Sequence, residues 1–331
     1  MKKFIKKYEE IVTAENLLLA WEDFLKGKRK RFDVIIFQGN LFDNIIGLQR
    51  DLINKTYRHG GYQAFNISDP KPRNIHKATV CDRLLHHLLY RETCKYFDSH
   101  FIYDSYSCRL SKGKHRAIRC FNKFARSVSK NNKATVWVLK CDIRKFFASI
   151  DHKILKNILS GYIEDEKLLW LFGKVIDSFH TPGREGTGLP LGNLTSQLLV
   201  NIYMNEFDQF VKRTLKIKFY VRYADDFLFI NRDKEYLIKL LPELEKFLEE
   251  KLKLAMHPKK VFLKTLNSGV DFLGWVQFHG YRVLRTTTKN RMLKKIKINK
   301  SQPTLVAYLA LLKHGNSYKI KNKINSINKP L

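Results

Sequence analysis

Tyr220-Val221-Arg222-Tyr223-Ala224-Asp225-Asp226-Phe227-Leu228-Phe229-Ile230 sets two carboxylates side by side between two apolar or aromatic runs. Such runs around a short polar apex predict a β-hairpin whose turn is Tyr223-Ala224-Asp225-Asp226. Adjacent carboxylates repel, and holding them on a rigid turn is unfavourable unless a cation compresses their charge; hard divalent ions with oxygen ligands are the usual ones. The hairpin therefore predicts a Mg²⁺ site, set against the plainer reading that aspartate simply favours turns.

A second acidic position, which by itself could be a helix N-terminal acid or a turn residue, favours the metal site through its pairing with the hairpin. Ala134-Thr135-Val136-Trp137-Val138-Leu139-Lys140-Cys141-Asp142-Ile143 is a nearly continuous apolar run, the pattern of a strand buried on both faces, with Asp142 where it stops. Two-metal chemistry sets its ions roughly 4 Å apart and needs carboxylates converging from separate strands. Asp142 with Asp225 and Asp226 meets that need.

The wider context of these acids carries a family likeness. Leu139-Lys140-Cys141-Asp142-Ile143-Arg144-Lys145-Phe146-Phe147-Ala148-Ser149-Ile150-Asp151-His152 resembles the first palm motif of reverse transcriptases, and Tyr223-Ala224-Asp225-Asp226 resembles their third. Between them, Gly188-Leu189-Pro190-Leu191-Gly192-Asn193-Leu194-Thr195-Ser196-Gln197 resembles the second, in the form of the diversity-generating retroelement enzymes of bacteria and phages, relatives of group II intron reverse transcriptases. Order and spacing agree from about Tyr62 to Trp275.

The resemblance implies an α+β right-hand polymerase: fingers, a palm of antiparallel sheet and helices, and a short helical thumb. Residues 1–133 would hold an N-terminal extension and part of the fingers. Residues 134–284 would form the palm, with a fingers insertion near 153–190, and 285–331 a basic thumb. Asp142, Asp225 and Asp226, with the Ile143 carbonyl, would hold two Mg²⁺ ions. Arg73 would grip the incoming triphosphate, for which a guanidinium is suited. The lysine expected about six residues earlier is absent, Ile67 standing there, so Lys71 or Lys77 would compensate. Phe147 would close over the sugar and reject a 2′-hydroxyl, one of Phe146 and Phe147 being core. Lys260, in His257-Pro258-Lys259-Lys260, would lie near the triphosphate as a general acid. Gly274 and Trp275 would pack under the primer end.

Two further features concern the nucleotide and template. Gly192 would let the backbone approach the nucleotide, with Ser196 and Gln197 facing it from the first helical turn that follows. Leu191 stands where many reverse transcriptases carry glutamine; a side chain unable to hydrogen-bond holds the nucleotide less strictly, so low fidelity is expected, and the resemblance implies errors at template adenines. Arg109, Lys112 and Lys114 lie in a stretch, Tyr103 to Ala117, that interleaves basic and aromatic residues as a template strand requires.

Composition agrees with a polyanion partner. The 331 residues are enough for one enzyme of two or three subdomains. The formal net charge is +31, and after Asp271 no acidic residue follows, while thirteen Lys and Arg lie between Arg282 and Lys329. No apolar run reaches the length of a membrane span. Met1-Lys2-Lys3-Phe4-Ile5-Lys6-Lys7 is followed by Tyr8-Glu9-Glu10 rather than an apolar core, so a cytoplasmic protein of a bacterial or phage-infected cell is expected. Cys81, Cys94, Cys108, Cys120 and Cys141 show no zinc spacing and read as reduced thiols. Template RNA, cDNA and dNTPs are the implied partners, together with a basic ring-forming accessory protein and a structured retroelement RNA. The alternatives are a retron or antiviral-defence reverse transcriptase, which Leu191 with Ser196-Gln197 disfavours, and a catalytically idle RNA-binding scaffold, which the clustered acids disfavour.

Overall fold

The computed structural model describes residues 2–69, 72–298 and 301–327; Lys71 lies outside them. In chain order the first elements are α1 (Tyr8–Ile11), α2 (Ala14–Leu25), α3 (Phe32–Gly39), α4 (Leu41–Ile53), β1 (Tyr62–Ile67), β2 (Arg73–Ala78), α5 (Val80–His100), α6 (Lys114–Val128) and β3 (Trp137–Asp142). Next come α7 (His152–Tyr162), α8 (Glu166–Asp177), α9 (Leu194–Gln209), β4 (Tyr220–Tyr223), β5 (Asp226–Asn231), α10 (Lys234–Leu252) and β6 (Phe262–Thr265). The last are β7 (Val270–Phe272), β8 (Trp275–Gln277), β9 (Arg282–Leu284), α11 (Thr286–Ile298), α12 (Gln302–Leu312) and α13 (Tyr318–Ile327). Helices and wholly antiparallel ladders together make the α+β fold expected of a right-hand polymerase.

Two compact units form: Met1–Arg109 with Ile143–Ile217 and Leu244–Met256, and Leu110–Asp142 with Lys218–Glu243 and His257–Leu331. The segments of the two units alternate along the chain.

The first unit is mainly helical. Its core includes Leu84, Leu85, Leu88 and Leu89 of α5 and Leu198, Leu199 and Ile202 of α9, all buried, with α2 also packed on α5. Local chemistry sets the helix starts: Thr13 accepts from Asn16 N–H at 3.2 Å, and Asp151 accepts from Ile154 N–H at 2.9 Å. The apolar stretch after Arg31 is two helices, broken at Asn40, whose dihedrals (φ −121°, ψ 42°) are not helical. Strands β1 and β2 form a hairpin in which Ile67 stands opposite Arg73.

Under that hairpin Asp82 accepts hydrogen bonds from Tyr57 Oη (2.7 Å), Gly60 N–H (3.2 Å) and Thr79 Oγ1 (2.5 Å). Beside it the Nε2 atoms of His59 and His86 meet at 3.2 Å. Burial, then the neighbouring His59, pushes the His86 pKa down to about 3. The unfolded chain takes up this proton near the ordinary histidine value while the folded one refuses it until far lower. Stability from this group is therefore present above about pH 6.5 and lost as pH falls toward 3. The melting temperature of His86→Gln should accordingly decline less steeply than wild type between pH 6.5 and 4; parallel curves would rule the group out.

The second unit carries a four-stranded sheet in the order β4-β5-β3-β6. β3 is central and its middle four residues are buried, as an apolar run flanked by strands on both sides should be. Helix α6 lies against β4 and β5, with the Phe124 ring meeting Phe219 edge-on at 5.4 Å. A separate sheet, β7-β8-β9, closes around Trp275. Among the described residues no helix is long and apolar enough to cross a membrane. All five cysteines are free of disulfides.

Candidate active site

The acidic hairpin forms where the pattern placed it. Tyr223 pairs with Asp226 across a two-residue turn, Ala224-Asp225, with Ala224 held at φ 57°. A non-glycine residue rarely adopts that conformation, and here the buried Arg222 guanidinium donates to the Ala224 carbonyl at 3.1 Å. On the other side of β5, the β3–β5 register puts Asp142 directly opposite Asp226. Cross-strand partners point to the same face, so distant segments bring two carboxylates together, and Asp225 follows from the adjoining turn.

Lysines meet these acids. The backbone carbonyl of Asp142 accepts from His257 N–H at 2.7 Å, pinning the His257-Pro258-Lys259-Lys260 turn to the end of β3. Lys260 Nζ then donates to Asp142 Oδ1 at 2.8 Å. Lys140 Nζ lies 3.1 Å from Asp226 Oδ2. The sequence reading did not single out Lys140, although a cation inside an apolar strand is itself a signal that an acid waits nearby.

Asp226 is 18% exposed, and its Oδ1 is buried with no hydrogen-bond partner. Burial pushes its pKa up to about 7; Lys140 opposes this, while Asp225 and Asp142 add to it. Among the described residues no three His, Cys, Asp or Glu side chains already stand as a metal cage. The donor set nevertheless fits a hard divalent ion: carboxylate oxygens only, mutually repelling, with one oxygen orphaned. Ile143, next in the chain, belongs to the first unit, where it bridges Met256.

Within the first unit, the Gly188–Asn193 segment is stitched to β2. His76 N–H donates to the Leu191 carbonyl at 2.9 Å, and Asn193 Nδ2 donates to the His76 carbonyl at 2.9 Å. Gly192 has φ +107°, and a Cβ there would lie 2.8 Å from Ile75 Cγ2. The packing of β2 is thus a reason for glycine here that needs no nucleotide. Gly192→Ala should cost about 1–3 kcal/mol, read from the denaturant midpoint, with partial recovery in Gly192→Ala/Ile75→Ala. No recovery would show that the backbone conformation alone demands glycine.

Arg73 is exposed at the start of β2, opposite Ile67. Lys77, a candidate to replace the missing lysine, is instead ion-paired with Asp33 at 2.7 Å. Phe146 is buried and Phe147 half-exposed, their rings edge-to-face at 5.6 Å, so Phe146 is the core member of the pair. Leu189 N–H donates to the Phe147 carbonyl at 2.8 Å, which ties Phe147 to the Gly188–Asn193 segment. Gln197 is half-buried on the first turn of α9.

Of the five expected primer or template contacts, Arg109 and Trp275 are engaged inside the protein. Arg109 is a structural residue: its guanidinium donates to Asp98 Oδ1 (2.6 Å) and to the carbonyls of Ile102 (2.6 Å), Ser105 (3.0 Å) and Asp98 (3.1 Å). An arginine so fully engaged closes its own loop rather than reaching for a phosphate. Trp275 is 0% exposed, in the core of the β7-β8-β9 sheet, because Arg282 and Gly315 cover its ring. Gly274 (φ +82°) instead occupies the β7–β8 turn, with Lys114 Nζ and Thr288 Oγ1 beside it. Burial, then Arg285 and Arg291, lowers the Lys114 pKa, so Lys114 belongs to a cationic cluster. Lys112 is half-buried in the loop before α6.

Comparison with known proteins adds to this geometry. The reverse transcriptase (RNA-dependent DNA polymerase) family matches residues 68–277. Protein YkfC of Escherichia coli is 26% identical over 243 residues, covering 62% of this chain and 63% of its own length. The group II intron-encoded protein LtrA of Lactococcus lactis subsp. cremoris is 25% identical over 239 residues, covering 51% of this chain and 39% of its own length. The chain thus spans less than two thirds of either relative. Among solved structures, telomerase from Candida albicans, in complex with a fragment of telomeric RNA, aligns with 74% of this chain and 51% of its own, with a TM-score of 0.53 and 11% identity. That is a likeness of fold alone.

Proposed function

The chain belongs to the reverse transcriptase (RNA-dependent DNA polymerase) family, and from that we propose that it is an RNA-directed DNA polymerase whose nucleotidyl-transfer centre is built from Asp142, Asp225 and Asp226. The observation that carries the reading is the register that sets Asp142 opposite Asp226, with Asp225 on the adjoining turn. The family generally uses divalent ions, and two Mg²⁺ held by these carboxylates and the Ile143 carbonyl would activate the primer hydroxyl and stabilise the departing pyrophosphate.

The chain's own residues take the remaining roles. Lys260 is placed at the carboxylates to neutralise the leaving group and to supply its proton. Arg73 contacts the triphosphate, Phe147 screens the sugar, and Leu191, Gly192 and Gln197 border the base. Lys112, Lys114 and Gly274 hold primer and template phosphates, consistent with the +31 charge. Residues 1–133 supply the N-terminal extension and part of the fingers, 134–284 the palm with its fingers insertion, and 285–331 the thumb.

The finer reading is a diversity-generating retroelement enzyme that copies a template-repeat RNA with errors at adenine, aided by a basic ring-forming accessory protein and a structured RNA. It rests on Leu191 within the Gly188–Gln197 motif. A second reading, a group II intron-type enzyme, is favoured by the similarity to LtrA. The test is dNTP incorporation by the protein with Mg²⁺ on a primed RNA containing all four bases, followed by sequencing of the product. Errors concentrated opposite adenine support the retroelement reading, and accurate DNA supports the intron type. No DNA, even with a retroelement accessory protein and RNA supplied, overturns the polymerase reading in favour of an RNA-binding scaffold.

A further inference from the structure

Lys140 and Lys260 both touch the carboxylate cluster, but they are held very differently. Lys260 sits on a turn with 46% of its side chain exposed. Lys140 is 8% exposed and lies on the central strand, two residues before Asp142 and so on the same face of the sheet. Its ammonium has two fixed anchors: Asp226 Oδ2 at 3.1 Å and the backbone carbonyl of Asp271 at 2.9 Å. The Phe262 ring stands 5.7 Å from it on the neighbouring strand. Asp271 is in turn ion-paired with Arg285, whose N–H donates to the carbonyl of Gly274 at 3.1 Å.

We propose that Lys140 is a positioning residue: its ammonium holds Asp226 Oδ2, leaves Oδ1 as the oxygen offered to a divalent cation, and through Asp271 ties that carboxylate to the β7–β8 turn. The inference rests on reading Asp226 as a cation ligand. Chelation by both oxygens would press a cation against the buried ammonium that holds one of them, and displacing that ammonium would strand its charge away from water. Asp226 is thereby limited to one oxygen at a fixed place. The link through Asp271 and Arg285 makes the position of the Gly274 turn and that of the carboxylate one mechanical unit.

Removing the ammonium has two effects of opposite sign. A cation at Asp226 no longer meets a like charge, and both carboxylate oxygens become available, so it binds more tightly. The carboxylate also loses its fixed orientation, so turnover falls. A lysine that merely filled space would show neither effect.

The experiment uses the full-length protein, with Mn²⁺ alone as the probe, titrated by electron paramagnetic resonance, and with nucleotide incorporation measured separately on a primed RNA. Lys140→Met should bind Mn²⁺ about tenfold more tightly, through loss of a like charge a few ångströms away together with release of the second Asp226 oxygen. Its kcat should fall about a hundredfold, with KM for dNTP within about threefold. Lys140→Arg should restore the wild-type Mn²⁺ affinity and part of kcat. In an Asp226→Asn background, Lys140→Met should tighten Mn²⁺ binding by no more than about threefold, the part that comes from charge alone.

Unchanged or weaker Mn²⁺ binding by Lys140→Met, or an effect equally large in Asp226→Asn, overturns the proposal. Should Lys140→Met fail to fold, Lys140→Gln compared with Lys140→Arg decides by the same titration. If the wild-type protein makes no DNA even with a retroelement accessory protein and RNA supplied, the polymerase reading falls while the Mn²⁺ comparison still decides the role of Lys140.

Discussion

Asp142→Asn is expected to lower nucleotide incorporation on a primed RNA by about a thousandfold, a loss of about 4 kcal/mol in transition-state stabilisation. Affinity for the primed RNA should stay within about threefold of wild type. The substitution keeps the shape of the side chain at the end of β3 and the backbone bond from His257, so the strand register survives. What it removes is one of the charges that make the cluster a cation site, together with the carboxylate that meets Lys260. The proposed RNA binding would draw on the net charge of +31 of the whole chain and depend little on one acid. Separating the two readouts, incorporation by primer extension and binding by filter retention, is what gives the result meaning. Incorporation within tenfold of wild type would remove Asp142 from the catalytic centre. Parallel loss of RNA binding would point to misfolding instead.

Trp275→Ala is expected to destabilise the protein by about 3–5 kcal/mol, as removal of a fully buried large side chain does. The ring is the largest fully buried side chain described, in the three-stranded sheet, and it leaves no room for anything larger than hydrogen at Gly315. Its Nε1 has no hydrogen-bond partner, so the indole contributes volume and contact rather than a polar link. Trp275→Phe should therefore cost less than half as much. Urea denaturation of the three proteins measures this. If Trp275→Ala kept full stability but lost primer affinity, the expected primer contact would be reinstated.

These two residues mark how far the sequence could be read. Asp142 was legible because a buried strand that stops at an acid is a local pattern, and its role followed from a second local pattern at Asp225-Asp226. Trp275 was not, because the motif around Gly274 says that a tryptophan belongs there without saying which way it faces. Arg109 has the same difficulty: in a stretch rich in basic and aromatic residues nothing local distinguishes an arginine that closes a loop from one that reaches a phosphate.

Sequence alone determined the hairpin at Ala224-Asp225, the strand ending at Asp142, and the basic chain suited to a nucleic acid. These are short-range matters, set by side-chain periodicity, turn preferences and net charge. Tertiary structure decided which lysine meets which carboxylate, why Gly192 must lack a side chain beside Ile75, and which of Phe146 and Phe147 is buried. Each of those depends on a strand or segment far away in the chain. The β3–β5 register that puts Lys140 and Asp142 on the face of Asp226 is a choice among pairings that the sequence of either strand does not specify by itself.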